Sequence, residues 1–224
     1  MFLPDRRIAL TYRVLTVIVI AIGLGRITGV FAGDVSGTEF LFYTVQSNIL
    51  CLVWAVALGI RTALDLRSDG VRGGSTPSAR GGGAVVMAIT ITMLIYLIVL
   101  VPISFTQSSG YTPFTLTDNL IHIIAPCLII GDWLLFTPKG RLRWYDPPLW
   151  ALIPFAYLAF AYAWSAAGGD FGYDRAYPYP FMNVEELGIG GVAVWLVGLT
   201  IALEAVGFLY VAIDRVLGAT ARRS

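Results

Sequence analysis

Six apolar runs, each about as long as a bilayer is thick, constrain this chain before anything else does. A hydrocarbon core needs roughly 20 apolar residues per spanning helix. Runs of that length at 8–30, 38–60, 84–104, 116–136, 147–167 and 188–211 take up more than half of the 224 residues. Inside lipid the backbone must satisfy its own hydrogen bonds, so each run is expected as a helix. The expected fold is an all-α bundle of six transmembrane helices, a single domain over 1–224. With 57% apolar and 13% charged residues, the chain has too little polar surface to cover a soluble exterior. No separate soluble domain fits.

A net charge of +1 gives no field to attract nucleic acid. The distribution of charge is more telling. Arg6, Arg7 and Arg13 lie at the start of the first run, and Arg61, Arg67, Arg72 and Arg80 lie between the second and third. Lys139, Arg141 and Arg143 follow the fourth; Arg215, Arg222 and Arg223 follow the sixth. These thirteen of the fifteen basic residues fall on one side, against Arg26 and Arg175 on the other. Basic residues near span ends stay cytoplasmic, so both termini are expected inside. Fourteen arginines to one lysine fit a GC-rich bacterial genome, hence a bacterial inner membrane. Val30-Phe31-Ala32 could pass for a signal-peptidase site, but Arg13 and Arg26 interrupt the run, so an uncleaved first helix is expected. Cys51 and Cys127 read as small buried apolar residues. Ser68 to Gly83, rich in Gly, Ser and Arg, reads as a flexible cytoplasmic loop. Tyr173, Tyr177, Pro178, Tyr179, Pro180 and Phe181 read either as an interfacial aromatic belt or as a lid over an outward-facing site. No internal repeat supports an inverted-repeat transporter.

Polar groups in hydrocarbon are costly, so each should face the bundle interior and have a partner. Thr44, Ser47, Asn48 and Cys51 fall at i, i+3, i+4 and i+7, on one helix face. Such a stripe commonly joins packed spans. Asp118 precedes His122, the only histidine, by four residues, so the two share a face. Alternatively, Asp118 caps the helix with Thr117 while His122 is structural. Counted from Thr38 and Leu116, Thr44 and His122 each lie six residues in, roughly 9 Å deep at about 1.5 Å per residue. A hydroxyl and an imidazole at matching depth suit a nucleophile and a base, with Asp118 orienting the ring. Glu204, deep in the sixth run, must be paired or protonated. Asp132 sits where it could reach cytoplasmic basic groups. Arg26 could pair with Glu39 or meet an anionic head group, though snorkelling is the simplest account. One histidine excludes a bis-histidine haem or a two-histidine zinc site within one chain, and no cofactor or metal is implied.

Tyr43-Thr44-Val45-Gln46-Ser47-Asn48 is similar to the second-span motif of a widespread six-helix bacterial membrane family. So are His122-Ile123-Ile124-Ala125-Pro126, Asp132-Trp133-Leu134-Leu135-Phe136 and Tyr177-Pro178-Tyr179-Pro180-Phe181. That family resembles the androgen-induced membrane hydrolases of animals, and the likeness spans nearly the whole chain. The resemblance implies Thr44 as nucleophile, His122 as its catalytic partner, and fatty acid esters of hydroxy fatty acids as the substrate class. The chain departs from the animal proteins in its Gly/Arg-rich loop and its more polar residues around Thr44.

The expected function is therefore intramembrane hydrolysis of a lipid-like ester reached from the outer leaflet. Gln46, Asn48 and Tyr43, or backbone N–H groups, are candidate donors to the oxyanion. Membrane lipids and an apolar ester are the expected partners. The alternative is a non-enzymatic lipid-binding or small-solute transport bundle. There Thr44, Ser47, Asn48, Asp118 and His122 form a polar network, and Glu204 matters most.

Overall fold

The computed structural model describes residues 1–106, 112–172 and 174–220. Tyr173, Arg222 and Arg223 of the clusters above lie outside them. The described residues form an all-helical chain with six long helices: α1 (Arg6–Ile27), α2 (Tyr43–Ser68), α3 (Ala79–Phe105), α4 (Leu116–Phe136), α5 (Asp146–Ala166) and α6 (Val184–Thr220). All six are long and apolar enough to cross a membrane. Side chains set several starts. The Asp5 carboxylate accepts from the N–H groups of Arg7 and Ile8, and the Ser78 hydroxyl from that of Gly81.

The helix ends differ from the hydropathy runs, and one difference matters for function. Residues 38–41 are not the first turn of α2 but a separate 3-10 turn, Thr38–Leu41. Phe42 then adopts an extended conformation, φ −87° and ψ 141°, and α2 starts at Tyr43. At the opposite end α2 runs past its apolar stretch, where Arg61 and Asp65 pair across one turn at 3.0 Å.

α3 is the central helix: 56% of its apolar window is buried, against 17% for α6. It packs against α2, α4, the start of α5 and α6, while α1 lies along α2 and α4. Gly23 lets α1 approach α4 closely. A Cβ there would sit 3.0 Å from Ile121 Cγ2 and 3.3 Å from Leu120 Cβ. Two apolar cores result. One joins Ile20, Ala55, Met87, Ile129 and Trp133. The other joins Tyr43, Tyr157, Phe171, Phe181 and Met182 at the far end.

Both ends of the chain meet the same end of the bundle. The Phe2 N–H donates to the Leu135 carbonyl at 3.0 Å, and the Gly140 N–H to the Asp214 carbonyl at 3.0 Å. Here α1, α2 and α4 are locked by a buried arginine. Arg13 is 1% exposed and grips Asp132 through Nε to Oδ1 at 2.7 Å and a second nitrogen to Oδ2 at 3.1 Å. It also donates to the Thr62 hydroxyl and to the Ser75 carbonyl. Asp132 thus does reach a basic group, one buried in α1 itself.

Two expectations are corrected. The first part of the Ser68–Gly83 segment is not a free loop: carbonyls of Asp69, Gly70 and Arg72 wrap the Arg6 guanidinium, at 2.7 Å for Gly70. A charged group satisfies carbonyls that follow a helix end, and the loop closes around it. Cys127 is not buried but faces outward from α4; Cys51 alone is enclosed.

Candidate functional site

Two proline-linked irregularities build the site. α4 begins with a capping box in which the Thr115 hydroxyl accepts from the Asp118 N–H and the Asp118 carboxylate accepts from the Thr115 N–H. The cap is therefore Thr115, with Asp118 in the first turn; Thr117 is not the cap. The next turn, Leu120–Ile124, is a π-helix. Pro126 follows and has no N–H to give back to the preceding turn. The Ile121 carbonyl instead accepts from Asn48 Nδ2 of α2 at 3.0 Å. α3 carries its own π turn, Tyr96–Leu100, just before Pro102. Isolated π turns are a recurrent feature of functional sites.

These turns aim His122 at α2. Its ring stacks on Tyr96 with centroids 4.1 Å apart and planes 9° from parallel. Nδ1 lies 3.2 Å from the Asp118 carbonyl oxygen. A carbonyl can only accept, so Nδ1 donates and Nε2 keeps its lone pair. Nε2 lies 3.3 Å from Thr44 Oγ1, which can therefore donate to it. The Asp118 carboxylate stands 4.0 Å from Nδ1 and is occupied by the Thr115 cap. Asp118 thus orients the ring through its backbone carbonyl.

Thr44 is the second residue of α2 and lines a cavity of about 120 Å³ between α2, α3, α5, α6 and residues 179–182. Ile91, Leu94, Leu158, Leu199 and Val206 make most of its wall apolar. Thr44, Thr92, Tyr157, Tyr179 and Thr200 bring polar side chains to it. His122 is not part of the lining. Thr44 stands between the imidazole and the cavity.

The other sequence-derived candidates separate by location. Ser47 donates to or accepts from Thr92 at 2.8 Å, joining α2 to α3. Asn48 Nδ2 also donates to the Thr44 carbonyl at 2.8 Å, and the Asn48 Oδ1 is buried without a partner among the described residues. Gln46 donates to the Phe40 carbonyl at 3.1 Å on the outside of the helix. The Tyr43 hydroxyl donates to the Ala88 carbonyl at 3.2 Å. The side-chain donors of Gln46, Asn48 and Tyr43 are all directed at other carbonyls. Arg26 meets Thr117 Oγ1 at 3.1 Å, not Glu39. Burial pushes the Glu39 carboxyl up, with the Arg175 charge opposing. Asp132 belongs to the lock at the opposite end. Glu204 keeps Oε2 buried without a partner among the described residues.

Sequence reasoning missed Tyr96 and Tyr157, and named Tyr179 only as part of an aromatic belt or lid. The first two lie inside apolar runs, so the criterion that picked out Thr44 and His122 also applied to their hydroxyls. Tyr179 lies in the aromatic segment, which folds over the cavity: its ring meets those of Phe42 at 6.2 Å, Tyr157 at 6.3 Å and Phe181 at 5.4 Å.

Fold and site together define a six-helix bundle of membrane-spanning type with a hydroxyl–imidazole pair at the wall of an apolar cavity. No protein-family model, curated protein or solved structure matches the chain.

Proposed function

We propose that this protein is an intramembrane hydrolase of lipid-like esters, with Thr44 as nucleophile and His122 as general base. The observation that carries the reading is the chain of contacts from the Asp118 carbonyl to His122 Nδ1, and from Nε2 to Thr44 Oγ1, ending at an apolar cavity. The ring nitrogen facing the hydroxyl is the one with the free lone pair, which proton removal requires. The resemblance to the androgen-induced hydrolases, carried by a Thr in the second span, a His in the fourth and the six-helix layout, supports the same pair. The acyl chain lies in the cavity and its carbonyl stands beside Thr44.

Both termini face the cytoplasm of a bacterial cell, and the site opens toward the outer leaflet. Thirteen of the fifteen basic residues fall, by sequence, in the segments assigned to the cytoplasmic side, which supports this orientation. A reporter active only outside the cytoplasm, fused to the C-terminus, is expected to stay silent; an active fusion overturns the orientation.

The function is tested with a fluorophosphonate on purified protein in detergent, reading the labelled residue by mass spectrometry. Label is expected on Thr44. A folded sample that takes up no label moves the reading to its alternative, a lipid-binding or solute-transport bundle. The observation favouring that alternative is the unpartnered Oε2 of Glu204. Under it, Glu204→Gln changes lipid or solute binding, and Thr44→Ala alters stability or lipid binding with no hydrolysis to lose.

A further inference from the structure

The break at Phe42 leaves two backbone donors at the cavity. The first carbonyl of α2 available to its own turn, that of Phe42, accepts from the N–H groups of Val45 and Gln46, each at 3.1 Å. The N–H groups of Tyr43 and Thr44 donate to no backbone carbonyl among the described residues, and no side chain caps the helix. Uncapped N–H groups at a helix start carry partial positive charge and suit an anion.

Phenols face these donors. The Tyr157 hydroxyl comes near the Tyr43 N–H and the Tyr179 hydroxyl, and the Tyr179 hydroxyl near the N–H groups of Tyr43 and Thr44 and the Thr44 side chain, all short of hydrogen-bond geometry. Tyr157 is 6% exposed, and its hydroxyl makes no hydrogen bond of ordinary geometry among the described residues. A buried, unpartnered hydroxyl is a cost that a fold seldom carries without reason. Both tyrosines line the cavity, as Thr44 does. Burial pushes the Tyr179 phenol up, which keeps it a proton donor.

We propose that the N–H groups of Tyr43 and Thr44 and the hydroxyls of Tyr157 and Tyr179 form the cradle that receives the oxyanion when Thr44 attacks an ester carbonyl in the cavity. The inference rests on the hydrolase reading above. In the step, Thr44 Oγ1 forms a bond to the carbonyl carbon and its proton passes to His122 Nε2. The C=O π pair moves onto the oxygen, which the four donors receive. The pair returns, the C–O bond to the alcohol breaks, and the leaving oxygen takes the proton from Nε2. Water, deprotonated by the same nitrogen, then attacks the acyl-threonine through a second oxyanion in the same cradle. The proton returns to Thr44 as the acid leaves. The nucleophile supplies one of its own oxyanion donors, so attack and stabilisation are set by a single turn of α2.

Tyr157→Phe and Tyr179→Phe test this, because each removes a hydroxyl and keeps the ring. The readouts are fluorophosphonate labelling rate, kcat and KM on p-nitrophenyl acyl esters, and the melting midpoint. Removing one oxyanion donor typically lowers kcat by about 10²–10³-fold. Losses approaching that scale are expected in kcat and labelling rate, with KM and the midpoint little changed. A purely structural hydroxyl predicts an altered midpoint and an unaltered kcat. If wild-type protein labels at Thr44 and both variants label equally fast, the cradle is overturned while the hydrolase reading stands. If wild-type protein neither labels nor turns over ester, the hydrolase reading falls and the cradle with it.

Discussion

Asp132→Ala is expected to lower the stability of the bundle by about 3–5 kcal/mol, because it strands a buried charge. Arg13 is 1% exposed and Asp132 4%, and their two contacts at 2.7 and 3.1 Å form a bidentate pair. Without the carboxylate, the guanidinium keeps only hydroxyl and carbonyl acceptors and no counter-charge. The loss is a large share of a typical folding free energy of about 5–15 kcal/mol. Thermal or denaturant unfolding in detergent reads it directly. The double variant Arg13→Met with Asp132→Leu should recover much of the loss, since removing both charges also removes their desolvation cost. A single variant that melts with the wild type would show that the pair does not hold α1 to α4.

His122→Ala is expected to cut ester turnover by about 10²–10⁴-fold, the usual contribution of a positioned general base. Deleting the imidazole removes the nitrogen that faces the Thr44 hydroxyl at 3.3 Å. It also leaves a hole beside Tyr96, so His122→Gln is the companion variant that keeps much of the bulk. Both should lose kcat, while KM moves little, because the ring lies behind Thr44 and outside the cavity wall. Asp118→Asn separates carbonyl from carboxylate. The carbonyl that holds Nδ1 remains, so turnover should fall less than with either His122 variant. Full turnover in His122→Ala would exclude the imidazole as base.

The six helices were legible because a spanning helix needs only length and apolarity, both local properties. Thr44 and His122 were legible as polar groups in apolar runs, and they stand in contact. The depth arithmetic that paired them started α2 at Thr38, where a separate 3-10 turn begins instead. Residues 38–41 are helical enough to read as a first turn, but Phe42 is held extended amid rings that arrive from 129 and 137 residues away. Its ring lies 6.1 Å from that of Phe171 and 6.2 Å from that of Tyr179. Such a break is written in tertiary contacts, not in local propensity. The same holds for residues 69–75, whose polar composition said loop while Arg6, more than sixty residues earlier, gathers them. The outward face of Cys127 depended on which stripe of α4 meets its neighbours, and an evenly apolar helix does not announce that.

A π turn carries one residue more than an α turn. In α4 the surplus lies at Leu120–Ile124, between the capped start and Pro126. Loss of one residue there, Ile123 for instance, would restore regular winding. Everything on the N-terminal side would then swing by about 100° around the helix axis. His122 would point elsewhere, whereas Asp132 and its arginine would keep their places. A bundle with an imidazole poised on a hydroxyl and one without it are thus a single inserted codon apart.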